Sequence, residues 1–394
     1  ISHLSRGARD LPVHLAPQQP VWRVAPKKFI PIVSFALLIT GLLQLGVYQT
    51  YGGILGYIAR YEEALQVGDT LAAPEGFRGM GILFTVSESF PIVAMIAFTL
   101  YATRSKVARS CPVLVGALLV YFLLLLLFGG LRGSRSNTIY SLFWGVGMIH
   151  VLVRPISRKM IAVGCIFVIG FMYLYSFYKE AGLKAVTLLQ EGASTVEMER
   201  KTRRTLEGAI LGDLGRSDIQ AFLLYRLWPT PVDYEYAWGR TYVGAMALVI
   251  PRSIWPERPA TKVKEGTEAL YGRGSHKPEL WESSHVYGLA GEAILNFGVL
   301  SAPLAFLVLG LVMKAIRGFF AALDRQDIRL LMLPFMVIFV VDLLTGDSDN
   351  LLWFVVKYGM VPFFVIMSGS ARSFKRSSSP VDFPVRHRLV ETAT

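Results

Sequence analysis

Three arginines gather in one stretch of the chain, within Gly239-Arg240-Thr241-Tyr242 and Ile250-Pro251-Arg252-Ser253-Ile254-Trp255-Pro256-Glu257-Arg258-Pro259. A guanidinium stays charged and presents a planar fork of donors, which suits the paired oxygens of a phosphate or pyrophosphate. Arg132 and Arg135, at the short corner between two apolar runs, offer the same chemistry at a second place. Pro251, Pro256 and Pro259 stiffen the first cluster, and Trp255 is the residue type that settles at headgroup level. Downstream lies Gly291-Glu292-Ala293-Ile294-Leu295-Asn296-Phe297-Gly298, with His285 just before it and His276 and Glu282 further upstream. Small residues around Glu292 let backbones approach closely, and Asn296 adds a polar support. A proton acceptor, Glu292 or His285, beside phosphate-binding arginines is what group transfer onto a hydroxyl requires.

Other ionisable residues fall inside apolar runs, where a charge costs about 2.5–3.5 kcal/mol on insertion scales and marks a functional or paired position. Glu88, Asp342 and Lys357 are the cases. Asp342 and Lys357 lie at similar depth on successive runs, so they are expected to neutralise one another. Asp347-Ser348-Asp349 has the spacing of a metal-binding acidic pair, but a loop or N-cap role is the better explanation of two carboxylates and a serine. No metal site or cofactor is expected. The chain carries no Walker phosphate loop, dinucleotide glycine fingerprint or paired-histidine metalloprotease motif.

These groups belong to a membrane protein. Of 394 residues, 53% are hydrophobic and 17% charged, against about 25% charged in soluble domains. The net charge of +12 is explained by orientation signals in loops; no nucleic-acid-reading motif accompanies it. Cys111 and Cys165 both lie in apolar runs, which leaves the long loop without a disulfide or a cysteine zinc site. The chain opens on Ile1 with no signal peptide in view, and the expectation is that further spans precede it.

A helical span needs about 20 apolar residues. Candidates are Phe29–Tyr48, Met80–Tyr101, Cys111–Leu131, Thr138–Val153, Met160–Tyr178, a long run near Val286–Ile316 containing a re-entrant piece, Leu330–Leu344 and Leu351–Met367. The fold class is therefore all-α, a polytopic transmembrane bundle with about eight spans visible. Basic residues precede the first run and follow the second, fourth, sixth and eighth, so all five groups share one side, the cytoplasmic one by the positive-inside rule. The organisation reads as a cytoplasmic basic segment (1–28), five spans (29–178), a large external loop (179–285), three spans (286–367) and a cytoplasmic tail (368–394). In the loop, Ser194-Thr195-Val196-Glu197 is a capping box opening one amphipathic helix, and Ser217 caps another with Phe222, Leu223 and Leu227 on one face. Both helices suit the membrane surface. Tyr242–Ile250 is too short to span and reads as a helix packed against the bundle.

At these residues the chain resembles the oligosaccharide repeat-unit polymerases, the O-antigen polymerase (Wzy) family. The resemblance rests on Tyr51-Gly52-Gly53-Ile54, Gly133-Ser134-Arg135, Gly239-Arg240 through Pro259, and Gly291-Glu292 through Asn296-Phe297-Gly298, and covers about Pro31 to Gly369. It implies a metal-independent inverting glycosyltransferase of the GT-C type in a bacterial inner membrane, with its active site facing the periplasm. Donor and acceptor would be oligosaccharide repeat units on undecaprenyl pyrophosphate, joined into lipopolysaccharide O-antigen or a related surface polysaccharide, with membrane lipid and a chain-length regulator as partners. Arg135, Arg240, Arg252 and Arg258 would hold the pyrophosphate, supported by Arg132, Trp255 and Asn296, with Glu292 or His285 as base or orienter. Two alternatives stand beside it. An O-antigen ligase would use the same donor. A lipid-linked oligosaccharide flippase or export component is a different class; the absence of an inverted internal repeat and the outer-face placement of the polar residues count against it.

Overall fold

In hydrocarbon every backbone N–H and C=O must find a partner inside its own segment, so long apolar runs fold as helices. The computed structural model obeys this throughout. It describes residues 21–67, 80–132, 135–202, 205, 217–228, 233–250, 254–277 and 285–373. In chain order the elements are β1 (Val21–Val24), α1 (Pro26–Thr50), α2 (Gly53–Val67), α3 (Gly81–Ser87), α4 (Phe90–Ala102), α5 (Cys111–Leu127), α6 (Arg135–Met148) and α7 (Arg158–Ala181). The middle of the chain adds α8 (Leu183–Gln190), α9 (Thr195–Thr202), α10 (Ser217–Leu227), α11 (Arg240–Ala247), α12 (Lys262–Tyr271) and α13 (Gly288–Phe297). The last third contains α14 (Ala302–Ala321), α15 (Leu333–Thr345), α16 (Ser348–Phe354), α17 (Met360–Ser368) and β2 (Ser370–Ser373).

Among the described residues, six helical stretches are long and apolar enough to cross a membrane: Pro26–Thr50, Gly81–Ala102, Arg158–Lys179, Val299–Ala321, Ile328–Thr345 and Ser348–Ser368. Cys111–Leu127 and Thr138–Val153 are apolar but shorter. The long run expected over Val286–Ile316 is divided. α13 ends at Gly298, whose φ of +82° lies where only glycine sits without strain, and a short 3-10 turn, Val299–Ser301, leads into α14.

The bundle packs through small residues and one large aromatic cluster. A Cβ at Gly145 would sit 2.4 Å from the Tyr121 ring, and one at Gly147 would sit 2.5 Å from Pro334, so both glycines bring α6 against its neighbours. Trp144, Phe335, Phe354, Ile92, Ile96 and Met148 form the centre of the core. The Trp144 indole donates to the Leu331 carbonyl at 2.8 Å.

The two ends of the bundle are built differently. At one end β1 pairs antiparallel with β2, Val21 opposite Ser373, and the Trp22 amide donates to Asp327 at 3.1 Å. The residues before α1, between α14 and α15, and after α17 therefore meet there. At the other end the hydroxyls of Tyr48, Tyr175 and Tyr178 donate to the carbonyls of Leu127, Gly130 and Leu131, satisfying acceptors that the end of α5 leaves open.

Two expectations need correction. The ion pair inside the bundle is Lys357 with Glu88, at 2.7 Å, rather than Lys357 with Asp342. Asp342 accepts from the Tyr140 hydroxyl at 3.1 Å. Lys357 lies in a π-helical turn, Val355–Gly359, whose wider winding departs from the phase of a regular helix. On α10 the buried face carries Leu223 and Leu227, both at 0% exposure, whereas Phe222 is 42% exposed. The capping box is formed as expected, the Glu197 amide donating to Ser194 Oγ at 3.2 Å.

Candidate functional site

The site grows from α13, a short buried helix that three other elements grip. Segment Tyr234–Trp238 lies along its C-terminal turn: the amides of Ala237 and Trp238 donate to the carbonyls of Leu295 and Asn296, and the Tyr234 hydroxyl also donates to Leu295. Trp238 (φ +48°) and Gly239 (φ +88°) then reverse the chain into α11. A tryptophan with positive φ is an uncommon backbone state, kept here by the bonds on either side of it. Arg240 becomes the first residue of α11.

Side-chain bonds fix that turn. Asn296 accepts from the Gly239 amide at 2.8 Å and donates to Thr241 Oγ1 at 2.7 Å. Having accepted from Asn296, the Thr241 hydroxyl donates to Glu292 Oε1 at 2.7 Å. Glu292 also accepts the Ser348 hydroxyl at 2.5 Å and the Ser348 amide at 2.7 Å. Glu292 is 3% exposed, and Thr241 and Asn296 are 0%. Burial pushes the Glu292 carboxyl above its ordinary value, opposed by the Ser348 hydroxyl bond and reinforced by nearby Asp347.

A second clamp sits beside the first. Lys262, at the start of α12, forms a buried ion pair with Asp347, lies 3.7 Å from Asp349, and donates to the His285 carbonyl at 3.2 Å. The other Asp347 oxygen accepts from the amides of Tyr287 (2.9 Å) and Gly288 (2.8 Å), where α13 begins. Burial raises the Asp347 carboxyl as well, opposed mainly by the charge of Lys262. The acidic turn thus fastens α12 and the start of α13 to the bundle. Among the described residues no group of three or more His, Cys, Asp or Glu side chains is placed to hold a metal.

Above these clamps opens a cleft of about 420 Å3, lined by Tyr234, Arg240, Lys264, Glu265, Glu268 and Arg273 among others. Arg240 donates to both oxygens of Glu265 at 3.1 and 3.4 Å, and that bond holds its guanidinium in the charged form. The arginine side chain is 53% exposed and the glutamate 4%, so the pair presents a cation to the cleft over a buried anion. Arg273 pairs with Glu235 at 3.3 Å.

Glu292 and Asn296 are therefore joined through Thr241 in one network that holds the residues on either side of Arg240, although Glu292 does not line the cleft. Arg258 serves the other end of α11, donating to the carbonyls of Leu248 (3.4 Å) and Ile250 (3.0 Å), and Trp255 is 39% exposed nearby in sequence. His285 joins through its carbonyl, with an exposed ring. Arg252 and the side chains of Arg132 and Arg135 lie outside the described residues. Lys262, Glu265, Thr241 and Ser348 were not anticipated. Only Ser348 had a signal, the acidic turn around it; the others act through partners far away in the chain.

Comparison of the chain with protein-family models, with curated proteins and with solved structures returns no match.

Proposed function

We propose that this chain is an integral-membrane glycosyltransferase that joins lipid-linked oligosaccharide repeat units at the face of the membrane opposite the end of the bundle where β1 and β2 pair. The observation that carries the reading is the Arg240–Glu265 pair at the wall of a polar cleft, a partly exposed cation seated on a buried carboxylate. Six helices are long and apolar enough to cross a membrane, and the reading adds the two shorter apolar helices as crossings; six and eight are both even, which agrees with β1 and β2 meeting at one end. In this reading the basic loops at that end face the cytoplasm by the positive-inside rule, which favours a cleft on the opposite side, the periplasmic one for the proposed bacterial inner membrane. The proposed GT-C-like architecture is supported by a polar site carried on loops and short helices beside the bundle.

In this reading Arg240 binds the pyrophosphate of an undecaprenyl-linked donor and offsets the charge that develops as it leaves. An acceptor hydroxyl forms a bond to the anomeric carbon as the bond to the pyrophosphate oxygen breaks, inverting that centre. The proton passes to a cleft carboxylate, Glu265 or Glu268. Glu292 acts as orienter, holding Thr241 and hence the neighbouring Arg240 in place. Pre-pairing with Glu265 restrains the guanidinium before substrate arrives, so less ordering is needed on binding.

The test is Arg240→Ala in cells making the polymer and in purified protein supplied with lipid-linked repeat units. Loss of polymer with single units accumulating is expected. An unchanged chain-length distribution removes Arg240 from the chemistry, and loss of lipid-core capping with polymer intact identifies a ligase instead.

A further inference from the structure

We propose that α11 is immersed in the margin of the bilayer, with lipid acyl chains covering its outer face; this does not depend on the enzymatic reading. Two sides of the helix have opposite character. Thr241 and Ala245 are buried, and Gly244 is pressed so tightly on the chain at Ala260 that a Cβ would lie 2.2 Å from that carbonyl oxygen. Outward on the helix, Val243 and Met246 are 52% and 72% exposed, and in the turn just past its end Val249 and Ile250 are 57% and 37% exposed. In water this would be an expensive apolar surface on a loop.

Continuity with a spanning helix identifies what covers it. The Phe297 ring packs against Trp238 and Tyr242, with centroids 6.2 and 6.4 Å apart. Two residues later, just beyond Gly298, begins Val299–Ala321, whose apolar window is only 6% buried in protein. Leu300 and Leu304 at its start are 78% and 65% exposed. The outer face of α11 and the flank of this span thus form one apolar surface, bridged by Phe297.

The helix ends supply an independent argument. Water satisfies the open carbonyls at a helix C-terminus without help, but hydrocarbon does not. Here Arg258 reaches back to the Leu248 and Ile250 carbonyls, and Asn296 receives the Gly239 amide at the opposite end. The eight residues of α11 extend about 12 Å, far short of a bilayer core of about 30 Å. The helix therefore enters one leaflet and leaves by the same side, with Trp238 and Trp255 flanking it at the interface.

The experiment uses full-length protein with Cys111 and Cys165 changed to Ser, reconstituted in phosphatidylcholine–phosphatidylglycerol nanodiscs. Single cysteines at Met246→Cys, Leu304→Cys and Lys277→Cys carry a bimane fluorophore, and lipids nitroxide-labelled on the acyl chain act as quencher. Quenching at M246C should come within about twofold of L304C and exceed K277C by at least about threefold, while a water-soluble thiol reagent labels only K277C rapidly. Quenching at M246C equal to that at K277C overturns the proposal in favour of an aqueous loop. Protection from both quencher and reagent overturns it in favour of a face covered by protein. Val249→Cys, read in the same way, decides the matter if M246C does not fold.

Discussion

Replacing Lys262 by Met should destabilise the protein severely. The Lys262 side chain is 5% exposed and that of Asp347 is 0%, so the pair is screened little by solvent. Methionine keeps most of the packing but leaves Asp347 with only its two amide donors, and Asp349, 3.7 Å from the lost ammonium, becomes an unopposed like charge. Removing one member of a buried pair costs about 3–5 kcal/mol, a loss that protonation of the remaining carboxylate limits. At about 2–4 °C per kcal/mol, the midpoint should fall by roughly 6–20 °C. Because burial already raises the Asp347 carboxyl, and losing its cation raises it further, the folded mutant takes up a proton more readily than the unfolded chain. Its stability then falls as pH rises, so the gap to wild type should be smaller near pH 5 than near pH 8. Tryptophan fluorescence during thermal unfolding in detergent reads this; a thiol dye is less suitable because both cysteines are exposed already. Asp347→Asn should cost less, about 1–3 kcal/mol, since Asp349 can still answer Lys262 and the two amides keep an acceptor. K262M/D347N should be more stable than K262M alone. A K262M midpoint within about 2 °C of wild type would refute the argument that this pair fastens the outer helices.

Three further outcomes are expected. Glu292→Gln turns an amide N–H toward either the Ser348 amide or the two hydroxyls, costing about 1–3 kcal/mol. Its folded carboxyl is raised by burial, so wild-type stability contributed by Glu292 is fully present below the unfolded carboxylate value and is lost as pH rises through the raised folded one; pH-dependent melts of E292Q should lack that component. Gly244→Val places methyl groups where Ala260 lies, so α11 should lift away and cysteine-labelling protection along it should fall several-fold, whereas Gly116→Ala, with nothing within 4 Å, should melt as wild type. Glu88→Gln and Lys357→Met should each lower the yield of folded protein and together restore part of it, which size-exclusion profiles would show.

The helices were legible in the sequence because hydrocarbon imposes one solution on any sufficiently long apolar run. Each of the eight expected runs falls on an apolar helix, and the interruption within the sixth is visible at Gly298. Azimuth was not legible: hydropathy does not say which way a side chain faces, and Lys357, in a π turn that departs from regular helical phase, meets Glu88. Arg240, Glu292 and Asn296 stood out because charged and amide groups among small apolar residues need partners. The partners did not, since Lys262 and Asp347 are 85 positions apart and nothing local to Lys262 marks it. Thr241 looked like an ordinary helix residue, and its relay between Asn296 and Glu292 exists only once α11 is laid on α13.

The bond between Glu88 and Lys357 also bears on biogenesis. The final hydrophobic stretch carries an ammonium that is poorly tolerated in lipid by itself, whereas its counter-ion arrives on the ribosome some 269 residues earlier. The early span Gly81–Ala102 is therefore expected to remain accessible during translation, keeping a berth for the late helix. Fragments divided within the long middle segment and expressed together should recover each other, because complementary charges guide the second piece to its slot.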